Sequence, residues 1–280
     1  MNLVRFLEKA ASDSLDHPAI IEENTKITYR QFWHRVDILA KSFRDIGIKE
    51  GDRIAIALPN CPEYIYAFFA ALKINAIAVP LKQAMTAYEL KTILKDCRPA
   101  LFITDNKFLR RRLPFDPDVG VGKIIICSKR INRQASFKTA IKIEDLFKTT
   151  SRLGTTFPSD DNTVASINYT YRGYGYPLGA MLTHGNYRYG IATYIGTTGI
   201  SSGMNVLLGL PIFHIYPLIG CIMAPIFKCC PIVIIKQINF KDIIKIIDSF
   251  KINVLTLIPT FYLGLLKTYK KDYNKLGSVQ

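Results

Sequence analysis

Hydrophobic positions along this chain switch repeatedly between the 3.6-residue rhythm of helices and the short apolar runs of buried strands. Phe32, Val36, Leu39, Ala40 and Phe43 recur at helical intervals behind Thr28 and Gln31, which have capping-box spacing, and Gly47 closes the segment. Arg53 to Leu58 then reads as a buried strand. It is followed by Pro59-Asn-Cys-Pro62, whose second proline suits the first turn of a helix reaching about Lys73. The pattern predicts strand over 76–79, helix from the Thr86–Glu89 capping box to about Cys97, strands at 100–104 and 124–127, and a short helix at 143–148. Beyond the middle it predicts strand at 164–169, helix from about His184, strand at 205–208, helix near 217–227, strand at 232–235, helix near 240–250, strand at 254–257, and a helix opened by Pro259. Alternation at this spacing favours an α/β fold with mostly parallel sheets covered by helices. Residues 110–152, with Arg110-Arg-Arg112, Pro114, Pro117 and two glycines, read as a surface excursion between halves of one domain.

Composition sharpens this picture. With 280 residues and 49% hydrophobic positions the chain can build a real core, which excludes disorder. A formal net charge of +15 predicts long-range attraction to anions such as nucleotides, coenzyme A or acidic lipid, and says nothing about fold. The arginines at 110–112 read as a solvated charge run, with no specific nucleic-acid partner expected. Six cysteines show no C-x-x-C spacing and are expected as reduced, buried thiols. The opening MNLVRFLEKAASDSLDHP has no uninterrupted apolar core of signal-peptide length, so a cytoplasmic location is expected. Tyr189 to Phe227 carries no Lys, Arg, Asp or Glu. Pro211, Pro217, Pro225 and the Ser201-Ser-Gly203 punctuation divide it into strand, turn and helix rather than a membrane span.

Candidate chemistry lies between Asn168 and Asn186. Gly173, Gly175 and Gly179 follow a predicted strand, where the missing Cβ lets backbone N–H groups approach an anion such as phosphate. A tight glycine turn between two strands is the other reading of the same residues, since neither a Walker pattern nor a dinucleotide fingerprint is present.

The order of segments around this loop resembles the N-terminal part of the AMP-forming acyl-CoA synthetase superfamily, acyl-CoA ligase branch. Ile27-Thr-Tyr-Arg-Gln-Phe32 is similar to the early L-T-Y-x-E-L element of that family, and Leu72-Lys-Ile-Asn-Ala-Ile-Ala-Val-Pro80 to its L-K-x-G-x-x-x-V-P element. Leu182-Thr-His-Gly-Asn186 is similar to the L-T-H-x-N after the phosphate loop, and Pro211-Ile-Phe-His-Ile-Tyr216 to the P-L-F-H element. The resemblance implies the incomplete large N-terminal domain of an adenylating enzyme, residues 1–280, in approximate lobes 1–160 and 161–280. It implies ATP, Mg2+ and coenzyme A as cofactors and a small-molecule fatty or other apolar carboxylic acid as substrate. Thr170, Arg172, Gly173, Gly175, Gly179 and His184 are implied around the ATP phosphates, and His214 in the acyl and thioester channel. His184 is expected to orient backbone rather than transfer protons. For His214 a satisfied core histidine remains the alternative.

Two departures bear on activity. The family loop reads Y-T-S-G-T-T-G-x-P-K-G, whereas Tyr171, Arg172, Gly173, Tyr174 and Leu178 replace its Ser, Gly, Thr, Thr and Lys. Small donors and the lysine charge are lost, and Arg172 can restore one cation. The loop is thus either altered but working or a nucleotide site filled by tyrosines. The second departure is that the adenine-binding strand, the glutamate element that holds magnesium, the ribose-binding aspartate, the hinge and the small C-terminal domain with its lysine are not matched. Impaired or absent activity is therefore expected, as is self-association or a covering partner chain. A different class, a non-catalytic scaffold that binds an acyl compound, an anion or a partner, stays open. So does weak contact with anionic membranes through the lysine-rich end.

Overall fold

Short parallel strands organise the chain, and their pairing joins segments far apart in sequence. The computed structural model describes residues 2–112, 121–128, 140–171, 176–236, 242–268 and 277–279. In chain order the first elements are α1 (Val4–Asp13), β1 (Pro18–Glu22), β2 (Thr25–Thr28), α2 (Tyr29–Asp45), β3 (Arg53–Ala57), α3 (Pro62–Lys73), β4 (Ile77–Pro80), α4 (Ala87–Cys97), β5 (Leu101–Thr104), α5 (Asn106–Arg112), β6 (Lys123–Ile126), β7 (Ala140–Lys142) and α6 (Ile143–Leu146). There follow β8 (Val164–Tyr171), β9 (Pro177–Thr183), α7 (His184–Thr198), β10 (Asn205–Leu208), α8 (Ile215–Pro217), a π-helical turn over Leu218–Met223, α9 (Ala224–Phe227), β11 (Ile232–Ile234), α10 (Ile243–Ser249), β12 (Ile252–Leu255) and α11 (Pro259–Thr268).

These elements form two units, each with one sheet. The first comprises Met1–Arg5, Trp33–Pro59 and Glu63–Tyr187. Its sheet has the order β7-β6-β5-β3-β4-β8-β9, parallel except for β9, which runs antiparallel to β8. The second comprises Phe6–Phe32, Asn60–Pro62 and Arg188–Gln280. Its sheet has the order β12-β10-β11-β1-β2, parallel except for the β1–β2 hairpin. The units are interleaved in sequence, unlike a linear split near residue 160. Ile20 of β1 pairs with Ile232 of β11, which draws the opening of the chain into the second unit.

Local signals account for most boundaries. Thr28 and Gln31 cap α2 reciprocally, and Gly47 leaves it with φ +89°, the left-handed conformation that glycine adopts without penalty. The Thr86–Glu89 box caps α4 in the same way. Four differences from the sequence reading stand out. Helix α1 and the β1–β2 hairpin arise from the opening segment, where Leu3, Val4, Leu7 and Ala10 are buried between charged neighbours. β9 was absent from the predicted elements and is the second strand of the alternative reading, a glycine turn between two strands. Strand β12 begins at Ile252, two residues before the predicted start. Part of the supposed surface excursion, β6 and β7, is the far edge of the first sheet. None of the cysteines forms a disulfide; Cys97, Cys221 and Cys230 are buried and the others partly so. Among the described residues no helix is long and apolar enough to cross a membrane.

The core of the first unit encloses a charge pair. Lys73, 0% exposed at the end of α3, places Nζ 2.8 Å from Asp37 Oδ1 and 3.8 Å from the centroid of Trp33. The Gly154 N–H donates to the same Asp37 oxygen at 3.1 Å. A pair so deeply desolvated stabilises little by its presence, but removing one partner strands the other charge. Asp37→Ala should therefore lower unfolding free energy by about 3–5 kcal/mol, whereas the double replacement Asp37→Leu with Lys73→Met should restore most of the loss. Urea titrations of both variants measure this.

Candidate active site

Strands β8 and β9 form a hairpin at the edge of the first sheet, with Val164 opposite Thr183 and Tyr171 opposite Pro177. Side chains of β8 alternate between its two faces. Ile167 and Tyr169 pack against the apolar cluster that includes Leu90, Ile93 and Cys97 of α4. The Tyr169 hydroxyl donates to Asp96, and burial together with that carboxylate pushes the phenol well above its ordinary range. Gly179 lies opposite Tyr169. A Cβ there would meet Ile167 Cγ2 at 2.7 Å and Tyr169 Cζ at 3.2 Å, so crowding from β8 accounts for the glycine without any ligand. Thr170 is exposed near the hairpin end, opposite Leu178, and Tyr176 is 51% exposed. Arg172, Gly173, Tyr174 and Gly175 lie outside the described residues.

Helix α7 starts directly at the end of β9. Thr183 and Asn186 cap it reciprocally: the Asn186 N–H donates to Thr183 Oγ1 at 3.2 Å and the Thr183 N–H to Asn186 Oδ1 at 3.0 Å. The sequence Leu182-Thr-His-Gly-Asn186 therefore acts as a helix start. Gly185 sits where a Cβ would be 2.8 Å from the Asp161 carbonyl oxygen. His184 is 0% exposed, and its Nδ1 accepts from the Leu3 N–H at 3.2 Å. Nε2 has no partner among the described residues. The ring thus supports the strand-helix junction from within the unit, and burial lowers its pKa from 6.5 to about 4.

The opposite face of β8 carries Ser166 and Asn168, which sequence reading passed over. Ser166 Oγ is 2.7 Å from the Tyr187 hydroxyl and accepts from Asn168 Nδ2 at 2.7 Å. Their only advance signal was a run of polar residues alternating with Ala165, Ile167 and Tyr169.

His214 belongs to the second unit. It is exposed, at the start of α8, with its ring 4.0 Å from that of Phe213. Exposure rules out the core-histidine alternative, because a solvated imidazole has no desolvation to offset.

The segment Val164–Asn186 contains no Asp or Glu, and its accessible end offers the Thr170 hydroxyl. That donor chemistry fits an anionic phosphate. Among the described residues no three His, Cys, Asp or Glu side chains converge as metal ligands.

Residues 7–280 match the model of the AMP-binding enzyme family. The chain belongs to this family. It is 25% identical over 303 residues to the long-chain-fatty-acid–CoA ligase of Bacillus subtilis (strain 168), covering 99% of this chain and 54% of the relative. It is 24% identical over 249 residues to 4-coumarate–CoA ligase 1 of Arabidopsis thaliana, covering 86% and 44%. The crystal structure of ATP-bound MatB from Rhodopseudomonas palustris superposes with a TM-score of 0.85 at 21% identity, covering 99% of this chain and 53% of that one. The fold is thus that of the N-terminal domains of adenylating enzymes, and the chain spans about half the length of the curated relatives it matches.

The buried imidazole gives a pH signature. The folded-state pKa of His184 lies below its ordinary 6.5, so the unfolded chain takes up the proton first as pH falls. The stabilisation is complete above about pH 6.5 and drains away towards about pH 4, a change on the order of 3 kcal/mol. Urea midpoints should fall across this window, and the decline should be shallower in His184→Asn.

Proposed function

We propose that this chain provides the phosphate-binding end of an ATP-dependent acyl-adenylating ligase for fatty or other apolar carboxylic acids. The observation that carries the reading is the β8–β9 hairpin. It is acid-free, exposed at Thr170, and seated on a capped helix start in a chain that belongs to the AMP-binding enzyme family. In that chemistry ATP and a carboxylate give acyl-AMP and pyrophosphate, and coenzyme A then displaces AMP.

The roles follow from residue type. The Thr170 hydroxyl would donate to a phosphate oxygen, and Arg172 would supply the fork-shaped cation that the family lysine otherwise provides. Gly173 and Gly175 would let backbone N–H groups face the ligand. Gly179 admits the Tyr169 ring, and His184 holds the junction behind the loop. His214, exposed beside Phe213, would line the acyl and thioester path. With two tyrosines and a leucine in place of small donors and the lysine, transition-state stabilisation at the phosphates is reduced, so activity should be weak.

Exchange of labelled pyrophosphate into ATP that depends on an added fatty acid tests this reading. Slow exchange is expected, with tenfold or greater loss in Arg172→Ala, the size of one lost charge-assisted hydrogen bond. No exchange, together with ATP binding unaltered by Arg172→Ala, would leave a non-catalytic acyl- or anion-binding protein as the better account.

A further inference from the structure

Ser166 and Tyr187 bracket the whole phosphate-loop segment. One lies on β8 before the hairpin and the other in the first turn of α7 after it, yet their oxygens are 2.7 Å apart. Both residues are 0% exposed. Tyr187 is also packed edge-to-face on Phe68, with ring centroids 6.4 Å apart, so its hydroxyl has little freedom to move. Asn168 extends the chain of contacts one step along the same face of β8 by donating to Ser166 Oγ. Its Oδ1 is buried without a partner among the described residues. Exchanging the amide oxygen and nitrogen would only turn an unpaired acceptor into an unpaired donor, so one polar atom stays unsatisfied in either orientation. Thr170 is the next residue on that face, one strand repeat of about 7 Å further toward the hairpin end.

We propose that Tyr187, Ser166 and Asn168 form a buried clamp that positions Thr170 for the phosphate end of a nucleotide, which makes Tyr187 and Ser166 positioning residues of the loop. This rests on the reading of the hairpin as a phosphate loop. The reasoning is geometric. A hairpin at a sheet edge is held along one side only. The tie between β8 and α7 closes the segment at its base. It limits how far β8 can slide or twist against α7, and so where the Thr170 hydroxyl points. A buried polar cluster is a costly way to hold a strand that apolar packing could hold, and its directionality is what apolar packing lacks.

The test uses the full chain with ATP and inorganic tripolyphosphate as probes, read by titration calorimetry beside the urea midpoint. Tyr187→Phe removes one oxygen and keeps the ring. It should raise both dissociation constants three- to tenfold, and Ser166→Ala should do the same. Combined with Thr170→Val, neither should weaken binding beyond Thr170→Val alone, because all act through one hydroxyl. A purely structural role would shift the urea midpoint without this non-additivity. Unchanged affinity in both single variants, or losses that multiply with Thr170→Val, would overturn the clamp. Failure of the unsubstituted chain to bind either probe would overturn the phosphate-loop reading itself, and the clamp with it. Should Tyr187→Phe not fold, Ser166→Ala decides the matter.

Discussion

A strand that joins a sheet in parallel and hands over to an antiparallel neighbour must be fixed at its base, or its far end has no defined position. Here the base is the meeting point of β8, β9 and the start of α7. The His184 and Gly185 N–H groups donate to the Thr163 and Asp161 carbonyls, the Thr183 hydroxyl takes the Asn186 N–H, neutral His184 takes the Leu3 N–H, and Ser166 meets Tyr187 across the junction. Each contact is polar and short, and those of His184 and Ser166 are buried. Burial strengthens them, and it makes the polar atoms left unmatched there, His184 Nε2 and Asn168 Oδ1 among the described residues, costly.

The electrostatic character of the site follows from what the hairpin omits. The chain carries a formal charge of +15, and no acidic residue lies between Val164 and Asn186. An anion approaching the exposed Thr170 meets no carboxylate from the hairpin itself. Asp96 accepts from the Tyr169 hydroxyl on the other face of β8. Alternation of side chains thus separates a packing face, with Ile167 and Tyr169, from a polar face, with Ser166, Asn168 and Thr170. The interior of the same unit shows the opposite case. Lys73 and Asp37 are held in the core, where their charges address each other and the Trp33 ring rather than any ligand.

Much of the fold was legible from residue pattern alone. The bounds of α3 and α4, the start of α7 and the span of β10 match the pattern, and for α3 and α4 the proline and capping signals act within one turn and need no tertiary partner. The β1–β2 hairpin was not legible, since Ala19-Ile20-Ile21 is too short a run to stand out beside charged neighbours. β9 was legible only as one of two readings, a glycine turn between two strands. Gly179 and Pro177 argue for a turn, and only the Tyr169 ring lying against the glycine shows that a strand was intended. His214 was implied in the acyl and thioester channel by the resemblance to the P-L-F-H element, with a satisfied core histidine as the alternative, and its exposure excludes the core.

By itself, then, the sequence determined the alternation of strand and helix, the family, and the chemical types offered around the loop: hydroxyl, guanidinium, glycine amides. These depend on local spacing and on residue identity. Tertiary structure decided that the opening segment completes the second sheet, that His184 faces inward, and that Ser166 and Tyr187 meet. Such facts depend on which surfaces are buried against each other, and burial is a property of chain segments brought together from far apart, which no local pattern encodes.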